Sequence, residues 1–130
     1  MAFASHPPGK QTTILVVEDE FLIRFMVSDE LRDAQFSVVE ASNADEALEI
    51  VHSGLSLDLI FSDVRMPGSM DGLGLLACLQ DLSSPVPIIV TSGHVLSEEA
   101  LAKGAKKFLP KPYTGAQALD LIQSVLGDPL

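Results

Sequence analysis

Short, almost continuously apolar runs alternate along this chain with stretches of helical periodicity, and that alternation restricts its fold more than any other feature. The runs fall at 13–17, 36–40, 57–62, 86–90 and 107–109. Most lack regular polar positions, as expected of parallel strands covered on both faces. Between them Ile23, Val27, Leu31 and Ala34 recur at helical spacing, followed by Ala44, Ala47, Leu48 and Val51. Leu75, Leu76, Leu79 and Leu82 repeat the pattern, as do Ala118, Leu119, Ile122 and Leu126. Each set makes one apolar stripe on an amphipathic helix. Helix starts are marked as well. Asn43 with Glu46, and Thr114 with Gln117, have capping-box spacing. Ser97 precedes Glu98 and Glu99, which places negative charge where a helix dipole favours it, and Gly104 stops a short helix near 97–103. The pattern is β-α five times over, which predicts a doubly wound α/β sheet with helices on both sides.

A chain of 130 residues suits one domain with a single core, so a two-domain enzyme or a receptor with its own output module does not fit. Residues 1–12 are mixed and small, without the apolar stretch of a secretory signal, and read as a disordered tail; residues 13–127 read as the compact unit. The apolar runs are far too short to span a bilayer. A net charge of −10 repels phosphate backbones and anionic membrane faces, which argues against direct nucleic-acid or membrane binding. Cys78 is the only cysteine, so an internal disulfide and a multi-cysteine metal site are excluded. We therefore expect a reduced, soluble, cytoplasmic protein.

In a parallel sheet the carboxyl ends of all strands lie along one edge, and ligands bind there at the switch point of strand order. The residues after each apolar run therefore matter most. The first run leads into Glu18-Asp19-Glu20, the third ends in Ser62-Asp63, the fourth leads into Thr91-Ser92 and the fifth into Lys111-Pro112. The second ends in Glu40-Ala41 and reads as uninvolved. Clustered carboxylates raise one another's pKa unless a cation neutralises them. Oxygen ligands with room for water suit Mg²⁺, a hard ion that works beside phosphoryl groups. A lysine and a threonine hydroxyl suit the remaining phosphoryl oxygens. One carboxylate is then placed to be a nucleophile, because aspartyl phosphates are established covalent intermediates. Asp63 is the best candidate, alone at a strand end before the turn Met66-Pro67-Gly68.

These residues match a family pattern. Leu15-Val16-Val17-Glu18-Asp19, Ser62-Asp63-Val64-Arg65-Met66-Pro67, Val90-Thr91-Ser92-Gly93 and Phe108-Leu109-Pro110-Lys111-Pro112-Tyr113 resemble the receiver domain of bacterial two-component response regulators. Each piece is short, but all occur in the right order on the right strands, over about residues 12–127. The resemblance implies a flavodoxin-like three-layer sandwich whose five-stranded sheet has the order 2-1-3-4-5. It also implies phosphorylation of an aspartate by a sensor histidine kinase or a histidine phosphotransfer protein. By this resemblance Asp63 is the phosphoacceptor, Asp19 a direct Mg²⁺ ligand and Glu18 a ligand through water. Arg65 would offer its backbone carbonyl to the metal, Thr91 is the switch hydroxyl, Lys111 pairs with the phosphoryl group and Phe108 is the switch aromatic. The Lys111-Pro112 bond is cis in the family. Two departures stand out. The loop Pro67-Gly68-Ser69-Met70-Asp71-Gly72 is one residue longer than usual, and the span from Thr91 to Lys111 is short, which abbreviates the fourth helix.

Other readings of the same residues are weaker. Glu20, Asp45, Glu46 and Glu49 read as solvated surface. Gly72-Leu73-Gly74-Leu75-Leu76-Ala77 has GxGxxA form but follows no apolar strand, so it is a poor dinucleotide motif. His52 and His94 have no partner at metal spacing. Ser92, His94 and Asp63 lack the G-x-S-x-G elbow of a hydrolase. Cys78 reads as a small core hydrophobe. A haloacid-dehalogenase-type enzyme needs Asp-x-Asp, whereas Val64-Arg65 follow Asp63. An interaction domain that works without phosphorylation stays open, and Mg²⁺ binding discriminates it. The favoured function is a stand-alone phospho-receiver that assists its own phosphotransfer and dephosphorylation without being an enzyme for another substrate. Only residues 127–130 follow the last helix, so the signal is expected to leave by protein contact or along a relay; a module excised from a hybrid kinase is the second possibility, and dimerisation stays open. Lys103, Lys106 and Lys107 are either solvated charges or the surface that meets an acidic partner.

Overall fold

The computed structural model describes residues 11–66, 68, 70–82, 86–94 and 97–127. Its elements follow the expected order: β1 (Thr13–Val17), α1 (Phe21–Asp33), β2 (Ser37–Ala41), α2 (Ala44–His52), β3 (Leu59–Asp63), α3 (Gly72–Asp81), β4 (Ile88–Ser92), α4 (Ser97–Ala102), β5 (Lys107–Pro110) and α5 (Gly115–Leu126). All strands are parallel in one sheet of order β2-β1-β3-β4-β5, the order that the family resemblance implied. The chain thus leaves β1 toward one edge through β2, and later fills the other edge through β3, β4 and β5. That reversal places the switch point between the carboxyl ends of β1 and β3.

Strand alternation divides the apolar residues between two cores. Ile14, Val16, Leu59, Phe61 and Ile89 face α1 and α5, where Val27, Leu31, Ala118 and Ile122 meet them. Leu15, Val17, Ile60, Ile88 and Val90 face the opposite layer and pack on Ala44, Ala47, Leu75, Leu76, Leu79 and Ala100. The three layers follow directly, with α1 and α5 on one side and α2, α3 and α4 on the other.

Several boundaries differ from the sequence reading. β3 and β4 run further, because Asp63 pairs with Thr91 and Ser92 with Pro110 in the ladder although they are polar. α3 ends at Asp81, which leaves Leu82 as a half-exposed cap residue instead of the last core position of its stripe. Cys78 is only half-buried and lies outside both cores, contrary to its reading as a core hydrophobe. The capping box at Thr114 forms in full. At Asn43 only half of it does: the Asn43 side chain accepts from Glu46 N at 2.8 Å, but Glu46 Oε1 reaches past it to Ser42 N at 2.6 Å. Gly104 has φ +109 and ends a six-residue α4, so the expected abbreviated helix and its stop are both present. Of the expected tail, residues 1–10 lie outside the described residues, while Thr12 is buried and its carbonyl accepts from Ser37 N at 2.9 Å. Of the lengthened loop, Pro67 and Ser69 also lie outside them. Among the described residues no helix is long and apolar enough to cross a membrane.

Candidate functional site

The apolar series facing α1 and α5 end in polar groups. One step beyond Ile14 and Val16 on that face comes Glu18; beyond Leu59 and Phe61 comes Asp63; beyond Ile89 comes Thr91; beyond Leu109 comes Lys111. The strands that build the core therefore also deliver the site, each at its carboxyl end. Phe108 does not join them. It is paired with Val90 and packs on the core of the opposite face, so Thr91 and Phe108 lie on opposite sides of the sheet.

Glu18 and Asp63 are almost wholly buried, whereas Asp19 is exposed. Oxygens of these three carboxylates lie within 4.8 Å of one another. Lys111 Nζ bridges the buried pair, at 3.1 Å from Asp63 Oδ2 and 3.5 Å from Glu18 Oε1. Backbone donors fix the other oxygens: Val64 N–H donates to Asp63 Oδ1 at 2.8 Å and Glu20 N–H to Glu18 Oε2 at 3.0 Å. Thr91 is fully buried, and its Oγ1 has no hydrogen-bond partner of standard geometry. Arg65 is exposed and lines an open cleft of about 610 Å³ that also takes in Asp19, Asp63, Lys111 and Tyr113. The Lys111-Pro112 peptide is cis.

Burial dominates the electrostatics. It raises Glu18 to about 7, with the Asp63 and Asp19 charges adding to the rise and Lys111 and the Glu20 amide opposing it. Burial likewise raises Asp63, against the pull of Lys111 and of the Val64 amide. Burial would lower Lys111, but its contacts with Asp63 and Glu18 win and hold it above the ordinary lysine value. One ammonium thus faces three carboxylates, an excess of oxygen donors and negative charge that suits a hard divalent cation.

Arg24, Arg32 and Tyr113 had no clear sequence signal for a part in the site. Arg24, which closes the first turn of α1, donates from Nη1 to the Glu18 carbonyl at 2.8 Å and from Nε to Glu40 at 3.2 Å. Arg32 Nη1 meets the same Glu40 at 3.0 Å, so the end of β2 is used after all to brace the acidic loop. Tyr113 packs its ring edge-on against Phe61, with centroids 5.9 Å apart. Burial, then the Glu18 and Asp63 charges, push its phenol well above the ordinary tyrosine value, while an interaction with Thr91 opposes the rise. His94 is exposed and meets Ser92 Oγ through its backbone N–H at 3.0 Å, which gives no support to a hydrolase triad.

The response regulator receiver domain family matches residues 14–123. The chain is 35% identical over 116 residues to the transcriptional regulatory protein FixJ of Bradyrhizobium diazoefficiens, covering 87% of this chain and 56% of that protein. It is 32% identical over 116 residues to the DNA-binding transcriptional regulator NtrC of Escherichia coli, covering 87% of this chain and 24% of NtrC. The chain therefore spans about half or less of these relatives. The receiver domain of NtrX from Brucella abortus superposes with a TM-score of 0.79 at 31% identity, over 87% of this chain and 97% of that one. The chemotaxis protein CheY4 of Vibrio cholerae gives 0.80 at 31% identity, over 89% and 99%. Sheet order and sequence match agree, and the chain belongs to the receiver domain family of two-component response regulators, the phosphoacceptor domains of that signalling system.

Proposed function

We propose that Asp63 is the phosphoacceptor and that Glu18, Asp19, Asp63 and the Arg65 backbone carbonyl hold Mg²⁺ beside it. The observation that carries this reading is the Asp63 carboxylate itself, buried at the switch point and held by Lys111 at 3.1 Å within a carboxylate cluster. Mg²⁺ would supply positive charge to the phosphoryl oxygens and offset the repulsion among the carboxylates. The chain's own residues do the rest. An Asp63 oxygen attacks phosphorus as the phosphorus–nitrogen bond of a phosphohistidine breaks, and the imidazole leaves with the bonding pair. Lys111 stays beside the new phosphoryl group, and the Thr91 hydroxyl supplies a further donor. The donor is a sensor histidine kinase or a histidine phosphotransfer protein, and the setting is the cytoplasm. The same residues assist the later hydrolysis of the acyl phosphate. Incubation with Mg²⁺ and acetyl phosphate should add one phosphoryl mass to the intact protein. Asp63→Asn should remain folded by circular dichroism and gain none; a variant that still gained a base-labile phosphoryl group would sink the assignment.

A downstream partner would read the state on α4, β5 and α5. Phosphorylation adds about −1.5 to −2 charge and strong acceptor oxygens beside Thr91. Lys103, Lys106 and Lys107 are exposed along the α4–β5 connection and suit an acidic partner surface. Phe108, half-buried on the α4-side core, is the proposed switch aromatic. Beryllofluoride, a phosphoryl mimic, should shift NMR resonances across residues 97–120. Changes confined to the loops around Asp19, Asp63 and Thr91 would refute the coupling.

A further inference from the structure

We infer that Tyr113 is a positioning residue for the Thr91 hydroxyl, and that its phenol governs the speed at which Asp63 gains and loses a phosphoryl group. The inference rests on Asp63 being the phosphoacceptor. Thr91 is fully buried, and its Oγ1 is not satisfied by any hydrogen bond of standard geometry. Strand alternation aims it at the layer of α1 and α5, the same face as Asp63 and Lys111. Of the aromatic residues on that face, Tyr113 carries a hydroxyl; it lies two positions beyond Lys111, and that hydroxyl interacts with Thr91. Phe108, the aromatic that the motif pattern pointed to, belongs to the other face.

Tyr113 is held for this task. Its ring is fixed edge-on by the buried Phe61 at 5.9 Å, while its other side lines the cleft that contains Asp63 and Lys111. A hydroxyl is one donor and two acceptor sites. When the phenol donates to Thr91 Oγ1, the threonine proton is left to point at a phosphoryl oxygen, and the first bond polarises the second. Without the phenol, the Thr91 hydroxyl turns freely and presents its proton only part of the time. Loading and hydrolysis share this requirement. In loading from acetyl phosphate, an Asp63 oxygen bonds to phosphorus as the bond to acetate breaks and acetate leaves. In hydrolysis, water bonds to phosphorus as the bond to Asp63 breaks, which restores the carboxylate and releases inorganic phosphate. Both pass through a transferring phosphoryl group that Thr91 contacts, so both should slow together.

The test is a double-mutant cycle on the full chain, with acetyl phosphate and Mg²⁺, read by intact mass. Tyr113→Phe keeps the ring and its packing, and should leave the melting temperature within a degree or two of the parent. It should slow loading and hydrolysis alike, each by roughly three- to tenfold. In a Thr91→Val background, which keeps the shape and removes the hydroxyl, Tyr113→Phe should change neither rate. Unchanged or faster rates in Tyr113→Phe, or the same slowing with Val at position 91, would overturn the inference. A parent protein that gained no phosphoryl group would instead overturn the assignment of Asp63, so the two failures are distinct.

Discussion

Burying a carboxylate beside two others makes its charge a cost that the folded chain bears. Glu18 shows this most clearly, with a folded pKa of about 7 against an ordinary value of 4.5. Because the folded state holds that proton more tightly than the unfolded chain, the stability it contributes is complete below pH 4.5 and is lost as pH rises through about 7. Asp63 is raised as well and acts in the same direction. We therefore predict that, in metal-free buffer, the melting temperature falls by several degrees between pH 5 and pH 8. Glu18→Gln, which cannot ionise, should flatten that slope. Thermal melts across this range with chelator present check it, and an unchanged slope in Glu18→Gln would place the titrating group elsewhere. This residue's position after an apolar run was legible in the sequence, because strand ends can be read from where hydrophobicity stops. Its burial was not, since that depends on how the strand ends pack together, and neither was the brace from Arg24, which donates to the Glu18 carbonyl and to Glu40 sixteen positions on. In the sequence Tyr113 is only the end of a motif for the same reason: its contacts with Phe61 and Thr91 exist only once three strands are side by side.

At the scale of elements, the site depends on how closely α3 approaches the end of β3. Gly72 opens α3, its N–H donates to the Val64 carbonyl at 2.8 Å, and Asp71 caps the helix by accepting from Gly74 N at 2.9 Å. A Cβ on Gly72 would collide with the Asp63 carbonyl oxygen and come within 2.9 Å of Val64 Cα. Backbone cannot yield there without moving the acceptor. We predict that Gly72→Ala destabilises the fold by about 1–3 kcal/mol, as overpacking does, and also slows acetyl phosphate loading. Chemical denaturation with parallel mass measurements checks both; a fully stable, fully active variant would show that α3 is free to shift. The same glycine explains why the GxGxxA string misleads. Its first glycine permits contact between helix start and strand end, and the leucines among its neighbours, Leu75 and Leu76, are wholly buried in the core. Periodicity located α1, α2, α3 and α5 well, because each has a stripe that contributes to one of the two cores. It located their ends less well. The end of α3 depends on where the backbone turns, which left Leu82 exposed, and Glu46 chose the Ser42 amide over that of Asn43.

At the scale of the whole molecule, charge is the dominant theme. A net charge of −10 surrounds a cleft whose carboxylates already repel one another, with Lys111 bridging only the buried pair. Long-range repulsion of this kind is screened by salt within about 10 Å at 0.1 M, whereas the cluster itself, with oxygens within 4.8 Å of one another and two members buried, is screened much less. Monovalent salt should therefore relieve the general repulsion and leave the cluster's share in place. A divalent cation bound by those oxygens removes that share, and binding to the folded state alone stabilises by mass action. At a hundredfold excess over Kd the gain is about 2.7 kcal/mol, which corresponds to roughly 10 °C in a domain of this size. We predict that Mg²⁺ raises the melting temperature at pH 8 well beyond sodium chloride of matched ionic strength. Asp19→Ala removes the exposed carboxylate without touching the buried pair, and should lose most of that gain while keeping the sodium chloride effect. Asp63→Asn removes a ligand and a repelling charge together, so it should melt higher than the parent without metal and respond less to Mg²⁺. Differential scanning calorimetry of the three proteins in chelator, sodium chloride and Mg²⁺ separates these outcomes. If Asp19→Ala gained as much from Mg²⁺ as the parent, the cation would be binding elsewhere on the acidic surface and the carboxylates at the switch point would not be its site.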